Sequence, residues 1–349
     1  MSKAMIAMSG GVDSSVAALL TLKSGCEAVG ATMKLIDGGN DMDISDAKSV
    51  CDRLGIGHHV FDMREEFRRE VLTRFARSYL DGETPNPCIV CNNYIKFGVL
   101  LRKAFELDCN RIVTGHYASV RFDSGSGRWL LVKAKDRSKD QSYFLYTLTQ
   151  NRLSSVLFPL GDMTKAEARE IAEDNGFINS RKRDSQDICF VPDGNYVGFL
   201  EKYLDRRFTG GDFLDLDGNI IGRHGGAVKY TIGQRKGLGM GFSKPMYVCG
   251  KNMAANTVTL GDNSDLFSRK VVAADINMIA LPKIDSPMRV AAKIRYSQRE
   301  EPALLEQTGE NELTLVFDQP QRAVAPGQAV VCYDGDCVVC GATIVRGES

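Results

Sequence analysis

Short apolar segments alternate with amphipathic segments over about the first 195 residues. The apolar segments have the length of buried strands, and the segments between them have the periodicity of helices. The predicted strands are residues 4–8, 28–33, 59–61 and 111–114, and the predicted helices are residues 16–20, 45–54, 67–79 and 94–107. A capping-box pattern at Thr164 and Glu167 marks a further helix start. This alternation predicts an α/β domain, with a parallel sheet that has helices on both faces and binds ligands at the carboxyl ends of its strands.

The pattern changes in the second half of the chain. Glycines are frequent in residues 205–265, with short predicted strands between them. From about residue 270 apolar and polar positions alternate in the strand manner, at residues 288–296, 312–317, 329–333 and 337–345. We therefore predict three domains: an α/β domain at 1–195, a small central α+β domain at 196–268 and a C-terminal β-barrel at 269–349.

Composition narrows the class of protein. The 349 residues carry 44 basic and 44 acidic side chains, so any contact with nucleic acid depends on local basic patches. No apolar run approaches the ~20 residues of a membrane span, and the start of the chain is a strand rather than a signal peptide. Ten cysteines in such a chain favour free thiols, ligands or catalytic groups over a disulfide framework. We expect a cytoplasmic enzyme without a membrane partner.

The first candidate site is the sequence Ser-Gly-Gly-Val-Asp-Ser-Ser at residues 9–15, between a predicted strand and a predicted helix. Glycines let backbone N–H groups approach a phosphate, and the helix end adds partial positive charge. No Gly-Lys-Ser/Thr follows, so this is not a Walker loop and it holds no lysine for a γ-phosphate. A plain tight turn is the alternative. The segment resembles the loop of the ATP-pyrophosphatase superfamily, whose members cleave ATP between the α- and β-phosphates.

Cysteines mark two further clusters. Cys88 and Cys91 follow a stretch with two prolines and open a predicted helix, where the positive helix end is expected to lower the pKa of a thiol. The alternative is a pair of small buried residues. Cys189 lies in a short apolar run, and by itself it is better explained as a packed core cysteine.

Other polar groups carry weaker signals. Cys337 and Cys340 would face opposite ways in a strand, and the pair His58-His59 has no partner at metal-ligand spacing. The basic stretches at 133–139, 181–183 and 234–236 are candidates for contact with a nucleic-acid backbone, with a solvated surface as the alternative for each. Gly237-Leu238-Gly239 is not a dinucleotide fingerprint, since it lacks the third glycine.

Taken from end to end, the chain closely resembles the bacterial tRNA-specific 2-thiouridylases. The matching stretches are SGGVDSS, TPNPCIVCNNYIKF, VTGHYA, KDQSYFLY, SQDICFVPDGNY, YTIGQRKGLG and PQRAVAPGQAVVCYDGD. In that family ATP adenylates O2 of the wobble uridine in the tRNAs for lysine, glutamate and glutamine, and a cysteine persulfide then supplies sulfur. The resemblance implies the same reaction here, with ATP and Mg²⁺ as cofactors and a cysteine desulfurase or relay carrier as sulfur donor.

The resemblance also assigns residues, position by position. The ATP site falls on Ala7, Met8, Ser9, Gly10, Gly11, Val12, Asp13, Ser14, Met33 and Gly115. The contacts with the target base fall on Asn86, Pro87 and Cys88, and other tRNA contacts on His116, Lys139, Asp140, Gln141, Arg295, Tyr296 and Gln328. The nucleophilic cysteine is Cys91 and the persulfide-bearing cysteine is Cys189, which end the reaction joined as a disulfide until a reductant restores them. Asp13 is expected to help hold the metal ion.

Two departures from the family pattern leave alternatives open. Many relatives have aspartate at the position of Cys88, so Cys88, Cys91 and Cys189 could instead hold a [4Fe–4S] cluster that carries sulfur. The segment between Met33 and Ser45 is also shorter than the family pattern. The contacts with ATP or a sulfur donor that this segment would make are therefore in doubt. Two other functions are weighed against thiolation: a different adenylating enzyme with the same loop, and a tRNA-binding protein that has lost catalysis.

Overall fold

The computed structural model describes residues 3–38, 41–182 and 188–348. Its N-terminal part is built on a five-stranded parallel sheet in the order β3-β2-β1-β4-β7. These strands are β1 Lys3–Ala7, β2 Glu27–Lys34, β3 His58–Asp62, β4 Arg111–Val113 and β7 Val156–Leu157. The strand order reverses at β1 and β4, so the crevice beyond the carboxyl ends of these two strands is where the topology places a ligand. The predicted parallel sheet is confirmed.

Helices cover the sheet and lead into the site. They are α1 Val12–Lys23, α2 Asp41–Leu54, α3 Arg64–Phe67, α4 Thr73–Leu80, α5 Pro87–Cys91, α6 Leu101–Glu106, α7 Ser142–Leu145, α8 Gln150–Leu153 and α9 Lys165–Asp174. Two π-helical segments, Arg68–Leu72 and Asn92–Leu100, join α3 to α4 and α5 to α6. The capping box predicted at Thr164 and Glu167 is present at the start of α9.

The central part is a four-stranded sheet in the order β10-β11-β8-β9, preceded by one helix. The elements are α10 Tyr196–Tyr203, β8 Gly211–Leu214, β9 Ile220–His224, β10 Tyr247–Asn252 and β11 Thr257–Gly261. Leu200 of α10 is fully buried in a cluster with Phe75 and Tyr79 of α4. Packing against α4 therefore ties the start of the central part to the N-terminal part.

The C-terminal part is a closed six-stranded barrel, because β12 pairs with both β15 and β17. Its strands are β12 Phe267–Met278, β13 Met288–Lys293, β14 Glu301–Gly309, β15 Glu312–Arg322, β16 Ala329–Asp334 and β17 Cys337–Glu348. The barrel predicted from the alternating pattern is confirmed.

The barrel sheet also recruits a hairpin from the N-terminal part, which the sequence did not reveal. Strands β5 Ala118–Asp123 and β6 Arg128–Lys133 pair with each other, and Val132 pairs with Cys337 of β17. Buried side chains from both parts form one hydrophobic core, in which Tyr143 and Tyr333 are fully buried. The first and last parts of the chain are thus joined by a common sheet and a common core. No helix in the described ranges is long and apolar enough to cross a membrane.

Candidate functional site

The loop after β1 folds as the pattern predicts, with Gly11 as the N-cap of α1. Its hydroxyls bond within the loop: Ser14 Oγ donates to the Gly11 carbonyl at 3.0 Å and accepts from the Ser9 N–H at 3.2 Å. Ser15 Oγ donates to the same carbonyl at 3.0 Å. These bonds stiffen the loop, so that its backbone N–H groups and the start of α1 are preorganised for an anion.

Glycine is required at position 10 by both the backbone conformation and the neighbouring atoms. Its φ is +70°, and a Cβ at this position would lie 2.4 Å from the carbonyl oxygen of Asp43. The Gly10 carbonyl accepts hydrogen bonds from Asn179 Nδ2 at 3.1 Å and from Lys182 Nζ at 3.2 Å. Lys182 Nζ also lies 2.7 Å from Asp43 and from Asp46 of α2. The loop is therefore locked to α2 and to the segment after α9.

Gly115 follows β4 and faces the loop across the crevice. A Cβ on Gly115 would lie 2.6 Å from the backbone carbon of Asp13 and 2.7 Å from the nitrogen of Ser14. Only glycine allows this approach of the two strand ends. Met33 lies near the carboxyl end of β2, half-buried against the same core as β1. The structure thus brings Gly115 against the loop at the reversal point of the sheet, with Met33 near the end of the neighbouring strand β2.

The loop itself contains no lysine, but a helix that is distant in the sequence places one beside it. Lys165, the first residue of α9, donates from Nζ to both carboxylate oxygens of Asp13, at 2.7 and 2.8 Å. The Tyr117 hydroxyl donates to Asp13 Oδ1 at 2.9 Å. Asp13, the expected metal helper, is therefore paired with the ammonium group of Lys165. The sequence analysis missed Lys165, and its only local signal is its place after the Thr164 cap.

The three candidate cysteines converge on one region, which we call the thiol cluster (Cys88, Cys91 and Cys189). Asn86 caps α5 by accepting from the Cys88 N–H at 3.2 Å, and Pro87 occupies the first helical position. Phe190, next to Cys189, packs its ring 5.1 Å from Phe75 and 5.0 Å from Phe199. Cys91 and Phe190 pack against the same hydrophobic core, which brings the segment of Cys189 to the segment of Cys88 and Cys91.

The low pKa expected of the Cys88 and Cys91 thiols is wrong. Burial raises the pKa of the Cys91 thiol to about 12, although the ammonium group of Lys96 opposes this shift. Cys88 and Cys189 are exposed residues, and partial desolvation by the surrounding protein raises the pKa of both thiols, with Lys96 again opposing it. Helix α5 continues into the π-helical segment, so Cys91 does not lie at a free helix end and desolvation outweighs the helix field.

The thiol cluster does not fit an iron–sulfur cluster. Among the residues that the structure describes, which include these three cysteines, no group of three or more Cys, His, Asp or Glu side chains is placed to hold a metal ion. All ten cysteines lie in the described ranges, and none of them forms a disulfide.

Several predicted tRNA contacts are engaged inside the protein. His116 is buried between the rings of Phe97 and Phe158, and burial lowers its pKa well below its usual value. Asp140 is also buried and accepts from the Ala134 N–H at 2.9 Å. Gln141 Oε1 accepts from the Tyr117 N–H at 3.0 Å. These three side chains therefore have structural partners.

The predicted contacts on the barrel side differ in accessibility. Tyr296 is 38% exposed, with its ring centroid 4.3 Å from that of Phe144. Arg295 donates to the Ala323 carbonyl at 3.2 Å, and Gln328 Nε2 donates to the Thr84 carbonyl at 2.7 Å. Lys139 is half-buried. Of this group, Tyr296 presents an accessible aromatic face.

The basic stretches are mostly paired with acids. Lys133 Nζ lies 2.6 Å from Glu300, and Lys135 Nζ lies 3.1 Å from Glu167. The Arg137 guanidinium lies 2.7 Å from the Asp336 carboxylate. Arg235 lines an open groove of about 480 Å³ in the central part, and Arg183 lies outside the described residues. Of the weaker candidates, Cys340 is fully buried in the barrel and His58 bonds to Thr32 Oγ1 at 2.8 Å.

Comparison with protein families matches three consecutive parts of the chain. Residues 2–193 match the model described as tRNA methyl transferase HUP domain, residues 197–262 the tRNA methyl transferase PRC-barrel domain, and residues 268–344 the aminomethyltransferase beta-barrel domain. The relatives most similar to the chain include proteins named tRNA-specific 2-thiouridylase MnmA. The protein from Clostridioides difficile is 47% identical over 99% of this chain and 98% of its own length. Those from Acetivibrio thermocellus and Carboxydothermus hydrogenoformans are 45% and 44% identical, over 98% and 99% of this chain and 99% and 98% of their own lengths.

Proposed function

The chain belongs to the tRNA-specific 2-thiouridylase family, whose members use ATP to thiolate uridine in tRNA, and from this premise we propose that it transfers sulfur to the wobble uridine by way of a persulfide on Cys189. The observation that supports the proposal is that Cys91 and Phe190, the neighbour of Cys189, pack against one hydrophobic core although they come from two separate segments of the chain. We also propose that the chain consists of three domains, at residues 1–195, 196–268 and 269–349.

The first half-reaction is adenylation. Uridine O2 attacks the α-phosphorus of ATP, an O–P bond forms, and the bond to the β-phosphate oxygen breaks to release pyrophosphate. The loop at Ser9–Ser14 receives the phosphates on its N–H groups, with Ala7, Met8, Met33 and Gly115 around the nucleotide. Lys165 leaves Asp13 and pairs with the pyrophosphate, since a phosphate carries more charge than a single carboxylate. Asp13 would then be free to help hold Mg²⁺, which would neutralise charge on the phosphates.

The second half-reaction moves sulfur. The terminal sulfur of the Cys189 persulfide attacks C2 of the base, and AMP leaves with the former O2. Cys91 Sγ then attacks Cys189 Sγ and gives up its proton to solvent, so the S–S bond breaks and its electron pair stays on the transferred sulfur. The products are 2-thiouridine and a Cys91–Cys189 disulfide, which an external thiol reduces. We propose the persulfide rather than an iron–sulfur cluster as the sulfur carrier, since among the described residues no group of three or more ligands is placed to hold a metal ion.

The substrate is proposed to be the tRNAs for lysine, glutamate and glutamine, and the donor a cysteine desulfurase or relay carrier of the cytoplasm. The wobble base lies in a single-stranded loop, so it can be turned into a pocket at low unstacking cost. Asn86, Pro87 and Cys88 would receive it, and the half-exposed ring of Tyr296 offers a stacking surface for RNA. Lys139 and Arg295 complete the proposed contacts, while His116, Asp140, Gln141 and Gln328, whose side chains pack or bond inside the protein, support them from behind.

The test is an anaerobic incubation with ATP, Mg²⁺, a sulfur donor and unmodified lysine tRNA, followed by digestion and mass spectrometry. We expect 2-thiouridine that requires ATP and disappears in Cys189→Ser. Cys249→Ser is the matched control, because Cys249 lies on β10, outside the thiol cluster, and is expected to retain product formation. Thiolation that survives Cys189→Ser would overturn the persulfide route.

A further inference from the structure

The segment that leads into α5 is held by the barrel through both polar groups of one peptide residue. The Thr84 N–H donates to the Pro326 carbonyl at 2.8 Å, and the Thr84 carbonyl accepts from Gln328 Nε2 at 2.7 Å. Both partners lie on the turn between β15 and β16, and Gln328 is 244 residues from Thr84 in the sequence. This arrangement, residues 326–328 around Thr84, we call the Thr84 clamp.

The barrel side of the Thr84 clamp is rigid. Gly327 N–H donates to the Ile344 carbonyl at 2.9 Å, and the Ile344 N–H donates to the Gln328 carbonyl at 2.7 Å. Gly327 has a φ of +84°, and a Cβ there would lie 2.7 Å from Glu83 Cβ and 3.1 Å from the Thr84 nitrogen. Strand β17 therefore fixes the turn, and the absence of a side chain at Gly327 lets the segment approach it.

The central part presses on the same segment from another side. A Cβ on Gly82, whose φ is +85°, would lie 2.9 Å from Met253 Cγ. The Lys251 amine of β10 is buried, without a hydrogen-bond partner among the described residues, and interacts electrostatically with Glu83. Residues 82–84 thus lie where all three parts of the chain meet.

The Thr84 clamp is close in sequence to the thiols, and the connection is stiff. Between Thr84 and Cys88 stand Pro85, Asn86 and Pro87, and each proline ring fixes its own φ. Asn86 caps α5, so its position sets the axis of the helix that carries Cys88 and Cys91. A displacement of Thr84 is therefore passed on to these thiols.

We propose that Gln328 is a positioning residue, which acts through the Thr84 clamp to set the place of Cys91 relative to Cys189 and so couples the barrel to sulfur transfer. This inference rests on the proposed function. The role it gives Gln328 in the reaction does not require this side chain to contact tRNA. Misplacement of reacting groups by about 1 Å can cost about 100-fold in rate.

The test uses two variants of the clamp and two matched controls in the full-length protein. Gln328→Glu turns an amide donor into a carboxylate that faces the Thr84 carbonyl, and Gly327→Ala inserts a methyl group against Glu83. Gly335→Ala is the control for the glycine, because Gly335 also has a positive φ, +55°, with nothing within 4 Å of its Cβ position. Gln319→Ala controls for an exposed glutamine of the same barrel.

Three readouts separate the proposal from its alternatives. The first is the rate at which diamide, a two-electron thiol oxidant, joins Cys91 to Cys189, measured by peptide mass spectrometry without tRNA or ATP. The others are single-turnover sulfur transfer from preloaded persulfide and tRNA affinity by filter binding. For both clamp variants we expect crosslinking and sulfur transfer to fall about tenfold, with tRNA affinity within about twofold of the wild type. The controls should match the wild type.

Unchanged crosslinking in both variants would overturn the proposal, as would a loss of sulfur transfer explained by an equal loss of tRNA affinity. Failure of the proposed function has a different signature. The wild type would then form no 2-thiouridine, while the crosslinking rate would still respond to the clamp variants. Thermal unfolding of each variant verifies that it is folded, and Gln328→Glu, which adds no atoms to the backbone turn, keeps the test usable if Gly327→Ala is not.

Discussion

Lys165 Nζ lies 2.7 Å from Asp13 Oδ1, although 152 residues separate the two in the sequence. The lysine side chain is 11% exposed and the aspartate side chain 32% exposed, so the pair lies at the edge of the crevice beyond β1 and β4 with its aspartate still reachable from solvent. A pair in this position can exchange the carboxylate for a phosphate when ATP binds.

The first prediction concerns this lysine. Lys165→Gln should reduce the rate of pyrophosphate release with unmodified tRNA about 100-fold, because it removes a positive charge that meets the departing pyrophosphate. The measurement is pyrophosphate release from γ-radiolabelled ATP. Lys135→Gln is the control, since Lys135 pairs with Glu167 of the same helix on an exposed surface and should retain adenylation. Normal pyrophosphate release by Lys165→Gln would restrict this lysine to neutralising Asp13.

The second prediction concerns the protonation of Cys91. Its pKa is raised to about 12, so below that value its thiolate fraction rises about tenfold for each pH unit. The alkylation rate of Cys91 by iodoacetamide, followed by peptide mass spectrometry, should therefore still be rising between pH 9 and 10. Free glutathione, with an ordinary thiol pKa of about 8.5, should level off there. A plateau for Cys91 near pH 8 would contradict a buried neutral thiol.

Local pattern was enough to predict the sheet, the loop and the barrel. The loop at Ser9–Ser14 lies between a buried strand and a helix that are adjacent in sequence, and the Thr164 box caps its helix through neighbours three residues apart. Interactions of this range depend on the residues themselves, so periodicity and spacing reveal them.

What the sequence could not predict depends on distant contacts. The pairing of Val132 with Cys337 adds a hairpin from the first part of the chain to the last, and the approach of Lys165 to Asp13 follows from how α9 packs. The error over the Cys91 pKa has the same origin. The helix end was read from local sequence, whereas the burial that dominates is a property of the assembled fold.

The third prediction concerns Gly115. Gly115→Ala should weaken ATP binding about tenfold or more and lower the melting temperature, because its methyl group would meet the backbone of Asp13 and Ser14. Isothermal titration with ATP and thermal unfolding are the measurements. Gly57→Ala is the matched control, since its Cβ would be at an ordinary 3.6 Å from Val29. Equal effects of the two substitutions would remove the argument for a close approach at Gly115.

The fourth prediction concerns the buried amine of Lys251. Burial lowers its pKa from 10.5 to about 8, although Glu83 opposes this shift. Above pH 10.5 the amine is neutral in both the folded and the unfolded chain, and below pH 8 it is charged in both. Between these values the unfolded chain binds more protons, so this lysine lowers the stability of the fold as the pH falls from 10.5 to 8.

Lys251→Met, which keeps the apolar stem and removes the charge, should therefore raise the free energy of unfolding at pH 7 by about 1 kcal/mol. The gain should shrink as the pH rises from 8 towards 10.5, because the wild-type amine loses its proton over that range. Urea unfolding at several pH values measures both effects, with the exposed Lys236→Met as control. A gain independent of pH would assign the effect to packing, and a loss of stability would mean that the attraction to Glu83 outweighs the burial of the charge.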